Sequence, residues 1–411
     1  MKKILLFTLL FLVTAGITIA QNTWTQKADV GGVKRQSACG FAIAGKGYIG
    51  LGLNYESLGL EQDFWSYDPT TNAWTQVANY GGTARYNPAY FVIGTVAYVG
   101  LGSDNYPSYH FRNDFWKYDQ TANTWSQISS FPGTARYSGS GFSIGTKGYA
   151  GFGYNSAQYF NDFYEYNPTT DIWTQKATYP GVPRSSGAGF SINGYGYYGA
   201  GLDGGSGFSD FYKYDPAVDS WTAIASLPSI VFGPSSFVIY NKGYVGTGST
   251  AYPNIGLQNH FWRYDPASNT WAAIADMGGT LRVSTVGFAI GNAGYCGTGG
   301  YNDFTQDLTD FWKYAPASGE GTNDLSVNDF HYSIFPNISN SKFSIEYSSA
   351  KSESMEIKII NINGKIIQSE SKYFVEGMNH FDLDLSNAAK GIYFVELVNA
   401  NEKAIQKIVL Q

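Results

Sequence analysis

The sequence predicts an all-β protein: a six-bladed β-propeller closed by an N-terminal strand, followed by a small Ig-like β-sandwich. Three observations predict it. A phrase of four strand-like runs returns six times at a period of about 50 residues, the mark of propeller blades. The composition is 43% hydrophobic and 17% aromatic but only 14% charged, with 49 Gly, which suits short strands and tight turns rather than helix or disorder. After Pro316 the aromatic repeat stops and Lys, Ile and Glu take over.

The N-terminus carries Lys2 and Lys3, an apolar run from Ile4 to Val13 and small residues before Ala20. It reads as a signal peptide over residues 1–20, with cleavage after Ala20. The net charge of −6 and the lack of a basic block argue against nucleic acid or an anionic membrane surface as partner. No second membrane candidate follows. Cys39 and Cys296 each replace an apolar residue in a strand of a different repeat. They read as two buried free thiols, with a disulfide open to a secreted chain.

Within a repeat, period-2 alternation marks the strands. Strand a carries Phe41 and Ile43, matched by Phe91/Ile93, Phe142/Ile144, Phe190/Ile192, Phe237/Ile239 and Phe288/Ile290. Strand b is Gly47-Tyr48-Ile49-Gly50-Leu51-Gly52 in the first copy, and strand c is Asp63-Phe64-Trp65-Ser66-Tyr67. The turn Asp68–Asn72 leads to strand d, centred on Trp74. The Trp series is offset: Trp24 precedes any strand a, and the last repeat lacks its Trp after Tyr314. The Trp24 segment is therefore expected to supply the outer strand of the last blade, leaving no open edge. All ten Trp sit at repeat positions and are expected to pack blade on blade.

This arrangement resembles the kelch family of β-propellers, in the bacterial form related to galactose oxidase, over residues 21–316. The family's double glycine is here Gly-x-Gly, except at Gly299-Gly300. The resemblance implies a rigid ring with a binding or active face.

Comparing the repeats with one another locates that face. From the strand a Phe to the strand b Tyr is 7 residues in six of six repeats, and from the strand c Asp or its equivalent to Trp is 11 in five of five. Nearly all length variation falls in the b–c loops Leu53–Gln62, Ser103–Asn113, Tyr154–Asn161, Leu202–Ser209, Ser249–Asn259 and Gly300–Thr309. In an antiparallel blade the b–c and d–a loops emerge together, and variation on one face of a scaffold marks a binding surface. Their aromatic, amide and hydroxyl groups suit sugars or peptides. The candidate binding residues are Tyr106, Tyr109, His110, Tyr154, Tyr159 and Tyr252.

Arg35, Arg85, Arg136, Arg184 and Arg282 recur just before strand a and have two readings. Guanidinium groups near a channel mouth could hold a carboxylate or sulfate. However, the repeat with Val231 in place of Arg also has His260 in place of the strand c Asp. Joint loss points to an Arg–Asp bridge within each blade, and that structural reading is preferred.

Catalytic constellations are thin. Relatives of galactose oxidase hold copper with two His and two Tyr, but His110 and His260 lie three repeats apart. The c–d turns lack the Gly of a sialidase Asp-box. No catalytic residue, metal ligand or cofactor is assigned.

After a polar linker over 317–330, residues 331–411 carry alternating runs at Lys342–Tyr347, Met355–Ile362, Phe381–Leu385, Gly391–Val398 and Ala404–Leu410, with a hairpin signal at Asn363-Gly364. Phe335-Pro336-Asn337, Ile362-Asn363-Gly364-Lys365, Asp384-Leu385-Ser386, Gly391-Ile392-Tyr393 and Lys407-Ile408-Val409 make this segment similar to the C-terminal sorting domain of the type IX secretion system of Bacteroidetes. The resemblance implies export across the outer membrane, with that secretion machinery as partner. The expected function is a non-catalytic surface module binding glycan or protein. The alternative is a carbohydrate-active enzyme resembling sialic acid mutarotases, which would need only an Arg and an acid–base group.

Overall fold

The computed structural model describes residues 22–251, 256–301, 305–316, 332–335, 338–339, 341–349, 352–375, 377–399 and 403–411. The leader, the linker and Tyr252 lie outside the described residues. Regular structure is all strand, with no helix among the described residues.

Six four-stranded antiparallel sheets of the propeller-blade type account for the repeats. The first runs Cys39–Ile43, Lys46–Gly50, Phe64–Asp68, Ala73–Val77, and the next four repeat that a-b-c-d order. The sixth is completed by the other end of the chain. Val286–Ile290, Ala293–Gly297 and Phe311–Ala315 are joined by Thr23–Lys27, with Trp24 opposite Tyr314. Strand a of each sheet lies against strand a of the next, and the sixth lies against the first.

The repeated residues explain both the sheets and their succession. Within a sheet, the strand a Phe stacks on the strand b Tyr opposite it, with ring centroids 5.1–5.9 Å apart in all six copies. Strand b ends in Gly because strand c crosses too close for a side chain. A Cβ on Gly100 would fall 2.3 Å from the Phe115 ring. Between sheets, each strand d Trp packs on the strand c Phe of the preceding sheet at 4.8–5.1 Å. Its indole N–H donates to a backbone carbonyl of that neighbour at 2.8–3.2 Å. The Asn or Asp two residues before each Trp adopts a left-handed φ, accepts the strand c Tyr hydroxyl of its own sheet, and accepts a backbone N–H of the preceding sheet. Both series return to their start. Trp24 donates to Ala275, and Asn22 accepts from Tyr314 and from the Ala275 amide.

Cys39 and Cys296 are buried free thiols. Burial pushes the Cys39 thiol far above its ordinary value, so it stays protonated.

The C-terminal segment forms two sheets. One has three strands, Tyr332–Phe335, Lys342–Ser349 and Gly377–Asp384. The other has five, with Glu353–Asn361, Ile366–Phe374, Gly391–Val398 and Lys403–Leu410 and the short Ile338–Ser339 pairing parallel to Val409–Leu410. Phe343, Ile345 and Leu383 from the first sheet share one core with Ile357, Ile359, Val395 and Ile408 from the second. The expected hairpin forms at Asn361–Lys365, with Gly364 at φ 79°.

Candidate functional site

Two residues after each repeat Arg, or after Val231 in the fifth copy, stands a small residue with left-handed φ: Ser37, Asn87, Ser138, Ser186, Gly233 and Ser284, at φ 50–62°. The amide of each donates to the carbonyl of the one before at 2.8–3.0 Å, and Ser37 donates to Ser284. The six form a complete circle of hydrogen bonds. The left-handed φ favours Asn and Gly at such positions.

This circle floors a cavity of about 470 Å³. Its walls come from the b–c loops and the residues following each Arg, the rim expected from loop-length variation. Four of the candidates meet there: Tyr106, Tyr109, Tyr154 and Tyr159. They are joined by Tyr55, Tyr86 and Tyr137, which sequence reasoning missed. The rings form a chain: Tyr55–Tyr106 at 5.8 Å, Tyr106–Tyr86 at 5.9 Å, Tyr86–Tyr137 at 5.8 Å, Tyr137–Tyr154 at 6.0 Å and Tyr154–Tyr159 at 4.4 Å. All belong to the first three repeats. The opposite wall is Ser185, Ser186, Leu202, Phe232, Gly233 and Ser284. Burial pushes the Tyr106 hydroxyl up to about 12, with Tyr55 adding to the shift, so it serves as a neutral hydrogen-bonding group.

The five arginines are not part of this wall, and their reading as ligand-binding groups is corrected. Arg35, Arg85, Arg136, Arg184 and Arg282 are each 0% exposed. Each makes a two-pronged bond to the strand c Asp of its own repeat, as in Arg85 to Asp114 at 2.7 and 2.9 Å. The same guanidinium donates to the carbonyl of the residue between the paired glycines, Leu101 for Arg85. That residue has a left-handed φ in every repeat (Leu51, Leu101, Phe152, Ala200, Thr247, Thr298). The Arg thus ties the strand c Asp to the left-handed residue at the end of strand b. In the fifth repeat Val231 joins the core. Gln258 makes the missing bond, to the Thr247 carbonyl at 3.2 Å, and His260 pairs with Asp276 at the surface.

Two of these pairs give a pH dependence. Burial alone would raise the carboxyls of Asp63 and Asp114, but the Arg hydrogen bonds and charge outweigh it and hold both below the usual carboxylate range. A depressed folded pKa means the stabilisation is present above the unfolded value, 3.8, and is lost as pH falls through the folded one. Thermal melts should therefore show stability dropping steeply below about pH 4. Asp114→Asn should flatten part of that acid slope.

His110 is not at the cavity wall either. It is exposed and pairs with Asp104, which also binds Arg112 and Thr83. Asp307, another residue the repeat comparison passed over, lies behind the wall. It accepts the Tyr55 amide, and burial pushes its carboxyl up to about 6. None of the ten Trp lines the cavity. Among the described residues, no group of three or more His, Cys, Asp or Glu gathers as a metal site would need.

Comparison with known proteins bears on the two parts separately. Residues 333–411 match the family model described as the secretion system C-terminal sorting domain. The protein is exported through the type IX secretion system to the outer membrane or cell surface. Among solved structures, that of YjhT, a kelch-type propeller, is similar with a TM-score of 0.59 at 15% identity, over 69% of this chain and 95% of that one. At that identity the likeness concerns the fold alone. No curated protein sequence matches the chain.

Proposed function

We propose that residues 21–316 form a closed six-bladed kelch propeller, and that it serves at the cell surface as a non-catalytic carbohydrate-binding module. A leader over 1–20 precedes it, a linker over 317–330 follows, and residues 331–411 act as the sorting domain. Four hydrogen-bond series support the closed ring. Those of the strand d indoles and their Asn or Asp neighbours run from sheet to sheet back to the first, as does the axial circle. So does the bond from the second glycine of each repeat to the next repeat's Arg-position carbonyl, ending with Gly299 to Arg35.

The binding reading rests on one observation. The axial cavity is walled by a chain of tyrosine rings on one side and by small hydroxyl, amide and apolar groups on the other. Aromatic faces beside hydrogen-bonding groups take up the C–H faces and hydroxyls of sugars. A concave pocket of about 470 Å³ accepts a chain end more readily than a flat protein surface. The Tyr106 hydroxyl is held neutral, and the nearby arginines are bonded to aspartates of their own repeats, which favours holding over turnover.

Saturable binding of the full chain on a glycan array is the expected result. Binding only to protein partners, with no glycan retained, would overturn the carbohydrate reading.

A further inference from the structure

We infer that the carbohydrate this cavity takes is uncharged: a neutral pyranose chain end, laid against the Tyr55–Tyr106–Tyr137–Tyr154–Tyr159 arc, with its hydroxyls met by the axial circle of Ser37, Asn87, Ser138, Ser186 and Ser284. The inference rests on the carbohydrate-binding reading and names the chemistry of its ligand.

The first ground is the composition of the wall. Tyr, Ser, Asn, Gln, Leu, Phe and Gly line it, and no charged side chain does so among the described residues. A carboxylate or sulfate drawn into such a pocket would lose its hydration with no cation in return, which is strongly unfavourable.

The second ground is where the nearby cations are. Five guanidinium groups stand two residues from the axial circle, the arrangement an anion site would want. Yet all five are fully buried and bonded to aspartates of their own repeats. On the rim, Lys34 pairs with Glu56, and Arg112 and His110 both pair with Asp104. The ionisable group directly behind Tyr55 is an acid, Asp307. Its field repels an anion whenever it is ionised.

The third ground is what remains free. Ser37, Asn87, Ser138, Ser186 and Ser284 line the cavity, half-buried. Their backbone groups are committed to the circle, and no hydrogen bond within the described residues engages their side chains. Hydroxyl and amide groups donate and accept equally, as sugar hydroxyls do. The tyrosine arc covers one side only, so a pyranose face can stack there while its edge meets the polar circle.

The test sets matched glycans against the full chain in calorimetry: lactose-terminated against sialyllactose-terminated oligosaccharides, and methyl-esterified against free oligogalacturonate. Each is measured at low and at high salt. Neutral members should bind with affinity that salt changes by no more than about twofold, since no ion pair forms. Their charged counterparts should bind at least about tenfold more weakly. Tighter, salt-sensitive binding of the acidic members would overturn the inference and leave the carbohydrate reading standing. Failure of both panels and of the glycan array would remove the reading itself. The comparison is made on the unaltered chain, so it does not depend on any variant folding.

Discussion

A chain ending at Tyr332 should fold its six-sheet body yet fail to reach the cell surface. Residues 333–411 carry the match to the sorting domain, and their core is self-contained. Every member of that hydrophobic cluster lies between Tyr332 and Leu410. The six clusters of the remaining body draw only on residues before Ala315. Removing the tail therefore takes away the export address without opening any other core. Cell fractionation with surface proteolysis should find the truncated chain retained in the periplasm and essentially none outside. Undiminished surface display would contradict the assignment.

The second large effect concerns the strand that joins the chain's two ends. Trp24 packs on Phe261 and Tyr314 at 4.8 and 5.2 Å and donates to Ala275. Trp24→Ala should cost about 3–5 kcal/mol, a large share of the roughly 5–15 kcal/mol that holds a domain folded. Removing Asn22–Lys27 should cost more. It also strips the Phe311–Ala315 edge of its partner, and an unpaired edge invites association with another chain. Urea unfolding followed by tryptophan fluorescence, with size-exclusion chromatography, should show lower stability and higher-order species. A truncated protein that unfolds at the parent's midpoint and stays monomeric would mean that the strand is dispensable.

Much of this was legible because the repeat supplies its own comparison. Phe, Tyr and Trp at fixed spacing announce all six sheets, and the missing last Trp announces the role of Trp24. The joint loss of Arg and Asp at Val231 and His260 points to the Arg–Asp bridges. What the repeat hides is what varies between copies. Gln258 takes over the Arg's bond, to the Thr247 carbonyl, from within a loop of irregular length, where no periodic partner flags it. Tyr86 and Tyr137 share their repeat position with Gln36, Ser185, Phe232 and Val283, so nothing marks that position as cavity wall until the ring is closed. The axial circle is a backbone feature, and Ser, Asn and Gly have in common only small size and tolerance of positive φ. In the tail, Ile366–Phe374 escaped notice because it is a sheet-edge strand of mainly polar residues, with Ser369, Ser371 and Tyr373 exposed and only Phe374 buried.

The proposed division of labour has buried arginines holding the fold and half-buried tyrosines holding the ligand. The most direct test measures melting temperature and glycan affinity together for Arg85→Ala and Tyr154→Ala. Arg85→Ala leaves Asp114 without its partner and should lose roughly 3–5 kcal/mol of stability. Tyr154→Ala should melt close to the parent while weakening neutral-glycan binding by about tenfold, the scale of one aromatic contact. An Arg85→Ala protein that melts normally but no longer binds, beside a Tyr154→Ala protein that binds as before, would contradict it.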